Sequence, residues 1–220
     1  MKQLLLLLLL LGALQQAWGQ NFEYARDYPA ISRTTGKPAN HFFYDSLKNR
    51  FTRSSSLLSS EELIALQIGY TQRPEYNPYG DIDLDRTFIR AANWPETDTT
   101  VMYGTAYLKK NPVSLSATYS LWKVCETRHD AALSEKYKAQ FQALINAILS
   151  TGDGTVAHPY FVVGPIDGQI LIRQYWQATI GVMGSGRDKQ RNFLDMLDMT
   201  STDGKSKTVN FVIEHAVKRM

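Results

Sequence analysis

The hydrophobic pattern changes period at Gly154, and this change narrows the possible folds more than any other feature of the chain. Before Gly154, apolar residues recur every three or four positions, as on one face of a helix. After it they fall in short β-branched runs and alternate. Helices first and strands last imply an α+β fold: N-terminal helical hairpins followed by a small C-terminal antiparallel sheet.

The helical part is well punctuated. Phe43, Leu47 and Phe51 predict an aromatic-striped helix over 39–53. Ser59-Ser60-Glu61-Glu62 has the form of a capping box, and the helix it starts is expected to stop at Gly69. Residues 69–80 hold two prolines and two glycines, which predicts an ordered loop. Helices are expected again over 83–94, 98–110 and 112–128, the last with Asn111 as N-cap and Pro112 at its first position. Asp130 caps a long helix striped with Tyr137, Phe141, Leu144 and Ile148, which Gly152 and Gly154 stop. The paired helices resemble tetratricopeptide-like packing, but no fixed period supports a repeat array.

Beyond Gly154, Tyr160 to Val163 is a short apolar run, and 166–175 reads as a short helix. Strands are expected near 179–183, 192–199 and 209–213, joined by a polar tip at 184–189 and an Asp203-Gly204 turn. They form an antiparallel meander. With 44% apolar and 20% charged residues, the chain can bury a core, and it is expected to be one domain over 20–220, mainly helical over 20–152 and mainly β over 153–220.

Residues 1–19 read as a signal peptide: Lys2, then eight consecutive leucines, then Ala17 and Gly19 at the small positions of a cleavage site. The run is too short to cross a bilayer, and no later stretch is long and apolar enough to be a membrane span. No cysteine follows the leucines, so no lipid anchor is expected. The one cysteine, Cys125, allows no internal disulfide and reads as a small buried residue. The expected location is periplasmic or secreted. A net charge of +3, with Lys and Arg scattered, argues against nucleic acid as a partner.

The stretch Gly69-Tyr70-Thr71 with Tyr76-Asn77-Pro78-Tyr79, and Ile148 to Gly154 closing the last helix, resembles a family of exported proteins of Gram-negative bacteria known as domain of unknown function 4919. The family pattern has tyrosine where this chain has Ile68, and a more apolar pair where it has Gln72-Arg73. The resemblance implies a fold and an exported habitat in a Gram-negative bacterium, and no reaction.

Candidate site residues are few. Tyr70, Tyr76, Asn77 and Tyr79 form a tyrosine-rich segment that can stack on a sugar or peptide and hydrogen-bond it, or can pin an irregular loop to the helices. Asp153 with His158 is the one pair worth testing as acid and base. Asp81, Asp83 and Asp85 lack the glycine and twelfth-place acid of a calcium loop, and acids at a helix start are explained by its dipole. The histidines have no metal-pair spacing, and Gly184-Ser185-Gly186 lacks the spacing of a phosphate loop. No cofactor and no metal is expected. The leading functional expectation is a non-enzymatic binding or accessory module for a peptide, protein or glycan of the cell envelope. The alternatives are a hydrolase with a carboxylate or histidine site, and a structural subunit of an envelope assembly with a pairing-prone final strand.

Overall fold

The computed structural model describes residues 22–93 and 97–220; the expected signal peptide, and Trp94 at the expected end of one helix, lie outside them. The chain runs through α1 (Tyr24–Thr35), α2 (Tyr44–Arg53), α3 (Ser60–Thr71), α4 (Ile82–Asn93), α5 (Thr97–Lys110), α6 (Leu115–Thr127) and α7 (Ala131–Leu149). Then come β1 (Tyr160–Phe161), α8 (Pro165–Ile170) with a wider turn over Leu171–Tyr175, β2 (Thr179–Arg187), β3 (Phe193–Thr200), β4 (Ser206–Val212) and α9 (Glu214–Val217). The helices precede the sheet, and the fold is α+β. Among the described residues no helix is long and apolar enough to cross a membrane.

The capping box forms as its residues dictate. Ser59 Oγ accepts from the Glu62 amide at 3.2 Å, and Glu62 Oε2 accepts from the Ser59 amide at 3.0 Å. The same carboxylate takes two hydrogen bonds from the Arg50 guanidinium, at 2.6 and 3.0 Å, which ties α2 to the start of α3.

Gly69 does not end α3, which continues to Thr71. Its role is close approach: a Cβ there would lie 2.8 Å from the Tyr44 ring and 3.3 Å from Thr35. Tyr70 therefore sits on a helix rather than in a loop. The expected cap at Asn111 is also displaced. Asn111 closes α5, its amide donating to the Tyr107 carbonyl, and Ser114 caps α6 by accepting from the Ala117 amide. Helix α1 gave no clear sequence signal because Pro29 interrupts its pattern.

The sheet is mixed, with order β1-β4-β3-β2. Strands β2, β3 and β4 form the expected antiparallel meander. The apolar run at Tyr160 adds a two-residue strand parallel to β4, pairing Tyr160 with Phe211 and Phe161 with Val212. Strand β4 is thus interior rather than a pairing-prone edge, and residues 209–213 are buried without alternation. The open edge is β2, which runs to Arg187 and absorbs most of the expected tip; the turn lies at Asp188 to Asn192. The Asp203-Gly204 turn forms as expected, with Gly204 at φ +82°. One continuous core joins both parts: Leu66, Ile68, Phe141 and Leu144 from the helices meet Phe161, Leu171 and Phe211 beside the sheet.

Candidate functional site

The tyrosine-rich segment is mostly inside the protein. Tyr70 and Tyr76 are buried and meet edge to face with ring centroids 5.6 Å apart. Tyr76 donates its hydroxyl hydrogen to the Val163 carbonyl at 2.6 Å and stacks on the His215 ring. These contacts hold the turn after α3 against the segment before α8. Asn77 is exposed and folds over Gly80, where a Cβ would come within 2.0 Å of its Nδ2. Tyr79 is half-buried and packs against the core near Asp195.

Tyr70, Tyr76 and Asn77 line one wall of a small polar pocket. Opposite them stand Asp81, Asp85, Tyr107 and Asn111 from the α4–α5 hairpin, and Asp167 from α8. Its volume is about 30 Å³, room for one or two water-sized groups. Ser116 donates to Asp85 Oδ1, and the Tyr107 hydroxyl donates to Asp81 Oδ2 at 2.9 Å. Asn111 Nδ2 donates to the Tyr107 hydroxyl at 3.3 Å, while Asn111 Oδ1 is buried without a hydrogen-bond partner. Asp167 Oδ2 accepts from the amides of Val163 and Gly164 at 3.0 and 2.9 Å, where Pro165 opens the helix.

The electrostatics follow from crowding acids in a shielded place. Burial pushes Asp85 up to about 6, against the pull of the Ser116 hydroxyl, with Asp81 adding to the rise. Burial pushes Asp167 up to about 7, and the neighbouring Asp85 raises it further, against two backbone hydrogen bonds that favour its charge. Burial and the nearby carboxylates likewise raise Tyr107. Raised carboxylates in a cleft are a recurring mark of functional sites.

Tyr107 has two sides. Its hydroxyl belongs to the polar pocket. Its ring packs on Phe88, at a centroid distance of 5.4 Å, and lines a groove of about 780 Å³ between α4 and α5. Leu84, Phe88 and Ala91 supply one wall, and Thr99, Tyr103, Ala106 and Lys110 the other. Both sets recur at steps of three and four, so each is a single helical face turned toward the groove.

The remaining candidates have structural partners. Asp153 and His158 are both exposed. Asp153 Oδ1 accepts from the Thr155 amide at 2.8 Å, and the His158 carbonyl accepts from the amides of Asp153 and Gly154. The pair closes a turn through these backbone contacts, and the Thr155 contacts hold the Asp153 carboxyl low. His215 is buried among the rings of Tyr24, Tyr28, Tyr76 and Phe161. Its Nε2 faces the Val163 carbonyl at 3.2 Å and its Nδ1 faces the Tyr24 hydroxyl at 3.3 Å. Burial lowers it to about 4, leaving a neutral ring that donates from Nε2. Cys125 is buried beside Leu121 and Tyr137, and burial raises its thiol. Among the described residues no three His, Cys, Asp or Glu side chains are grouped to hold a metal ion.

Sequence reasoning missed Asp85, Asp167, Tyr107 and Asn111. Asp81 and Asp85 lie four residues apart, so the shared face was legible, but the helix dipole accounted for the acids without it. Asp167 reads as an ordinary acid at a helix start, and it serves as one. Nothing local says that α8 comes to rest against α4.

Neither a curated protein nor a solved structure matches the chain. A family model described as a domain of unknown function, DUF4919, matches residues 29–220. The match takes in every element from within α1 to α9, including both walls of the polar pocket, and the chain therefore belongs to the DUF4919 family.

Proposed function

We propose that this chain is an exported, non-enzymatic binding module that holds an amphipathic helical peptide in the α4–α5 groove. The observation that carries the reading is the open groove of about 780 Å³ whose walls set Leu84, Phe88 and Ala91 of α4 against Tyr103, Ala106 and Tyr107 of α5. Both helices pack on α6 and little on each other, which leaves the groove between them open, and a partner helix with apolar residues at steps of three and four fits such a groove. Leu84 and Tyr103 on its rim are exposed. The exposed surface of the groove is mainly apolar, with Thr87, Arg90, Thr99, Thr100 and Lys110 also lining it, which suits the apolar face of a peptide flanked by polar side chains. The binding reading gains over the hydrolase because the carboxylate pocket holds only about 30 Å³, too little for a substrate with its scissile bond between two acids.

The test uses fluorescence anisotropy of a labelled amphipathic peptide of leucine, lysine and glutamate against its scrambled isomer. The amphipathic peptide should bind saturably. The double variant Leu84→Gln, Tyr103→Gln should weaken it about tenfold or more, equivalent to ~1.4 kcal/mol, with an unchanged melting temperature. Equal binding of the scrambled isomer, or full binding by the variant, would refute the reading.

A second reading, a structural subunit of an envelope assembly, is favoured by the open edge at β2. Val182 and Met183 on that strand are 73% and 58% exposed, an arrangement that invites strand pairing. Sedimentation should then show self-association that Val182→Lys abolishes; a monomer at all concentrations removes this reading.

A further inference from the structure

We propose that the pocket enclosed by Asp81, Asp85, Tyr107, Asn111 and Asp167 is a binding site for a primary ammonium group. It is distinct from the α4–α5 groove, from which the Tyr107 ring divides it, and stands without the peptide reading.

The groups around the pocket present an excess of acceptors. The Tyr76 hydroxyl is already committed to Val163, Tyr107 to Asp81, and Ser116 to Asp85. Among the described residues, one oxygen each of Asp81, Asp85 and Asp167 accepts these protein hydrogen bonds, and none of the three pairs with a lysine or arginine.

The independent sign of a ligand is Asn111. This residue is 9% exposed, lines the pocket, and keeps its Oδ1 without a partner while its Nδ2 donates to the Tyr107 hydroxyl. Leaving a buried amide oxygen unpaired costs ~1–3 kcal/mol, so a donor belongs there. Three N–H donors carrying positive charge meet both needs at once: they satisfy the amide oxygen and neutralise the crowded carboxylates.

Size and geometry select the cation. About 30 Å³ admits an ammonium head and excludes a quaternary amine or a guanidinium. The carboxylates are too dispersed to form a metal cluster, whereas an ammonium needs single hydrogen bonds from separate directions. Asn77, which lines the pocket, is exposed. A peptide N-terminus and a lysine side chain both carry this group.

Calorimetric titration of the protein with methylammonium chloride tests the site, with tetramethylammonium, sodium and calcium chlorides at matched ionic strength as controls. Saturable binding is expected for methylammonium alone. Asp85→Asn and Asn111→Ser should each weaken it at least tenfold while circular dichroism and melting show a folded protein. Acetylated glycyl-lysine amide and free glycyl-glycine amide then separate the lysine source from the N-terminal source, and binding of either supports the site. No difference between methylammonium and tetramethylammonium, saturation by calcium instead, or full methylammonium affinity in both variants would overturn it.

Discussion

Replacing Asp167 by asparagine should make the protein more stable at alkaline pH, because the native carboxylate is held where its charge is poorly solvated. The folded protein keeps the Asp167 proton up to about 7, whereas the ordinary carboxyl loses it near 3.8. Between these values the folded state binds more protons than the unfolded chain. The stability contribution of the group is therefore full below pH 4 and is lost as pH rises through 7. From pH 5 to pH 8 that loss is about 3 kcal/mol, at ~1.4 kcal/mol for each pH step up to the folded value.

The asparagine amide does not titrate, and its oxygen can still accept from the amides of Val163 and Gly164. Urea denaturation of both proteins at pH 5, 6.5 and 8 should show the variant gaining on the native protein with each step. Its relative stability should increase by about 3 kcal/mol across the range. Groups that do not interact with Asp167, His215 included, cancel in this difference; Asp85, which faces it, adds a smaller change of its own. A stability difference that does not change with pH, or that moves the other way, refutes the account of a carboxylate stranded by burial and by Asp85.

Three further outcomes follow from the same contacts. His215 is held neutral to about pH 4, below the ordinary 6.5, so the unfolded chain takes up the proton first, and stability falls as pH drops from 6.5 towards 4. Its ring resonance should not titrate near pH 6 in the folded protein, and titration there would contradict the buried-ring geometry. Tyr76→Phe should cost about 1–2 kcal/mol through the orphaned Val163 carbonyl, and Tyr76→Ala about 3–5 kcal/mol, read by denaturant melts. Unchanged stability in Tyr76→Ala would return this tyrosine to the role of a surface contact. Gly152→Ala places a Cβ 2.4 Å from the His158 carbonyl oxygen and 2.7 Å from that of Pro159, both backbone atoms. It should lower stability by ~2 kcal/mol or more, and a neutral result would show that the turn yields.

How far the sequence carried is clearest at particular positions. The Ser59–Glu62 box, the Asp130 cap and the Asp203-Gly204 turn form as read, because each is completed by atoms within a few residues. Gly69 was misjudged since a helix stop and a close approach to Tyr44 call for the same residue. The tyrosine-rich segment reads in the sequence as a surface for a ligand or as a pin for a loop, and the side chains of Tyr70 and Tyr76 turn inward: whether Tyr76 meets solvent or Val163 depends on a segment 87 residues away. Strand β4 reads as a terminal hairpin strand, and only the return of Tyr160 and Phe161 along its far side makes it interior.

Sequence by itself therefore determined the α+β order, the Ser59 and Asp130 caps and the Asp203-Gly204 turn, since periodicity and capping act over one or two turns of chain. The tertiary structure alone decided the polar pocket and the groove. Burial in the folded protein raises both Asp85 and Asp167, and Asp167 is raised further by Asp85, a carboxylate far away in the chain. That energy comes from burial and Coulomb repulsion between distant segments, and no local pattern encodes it.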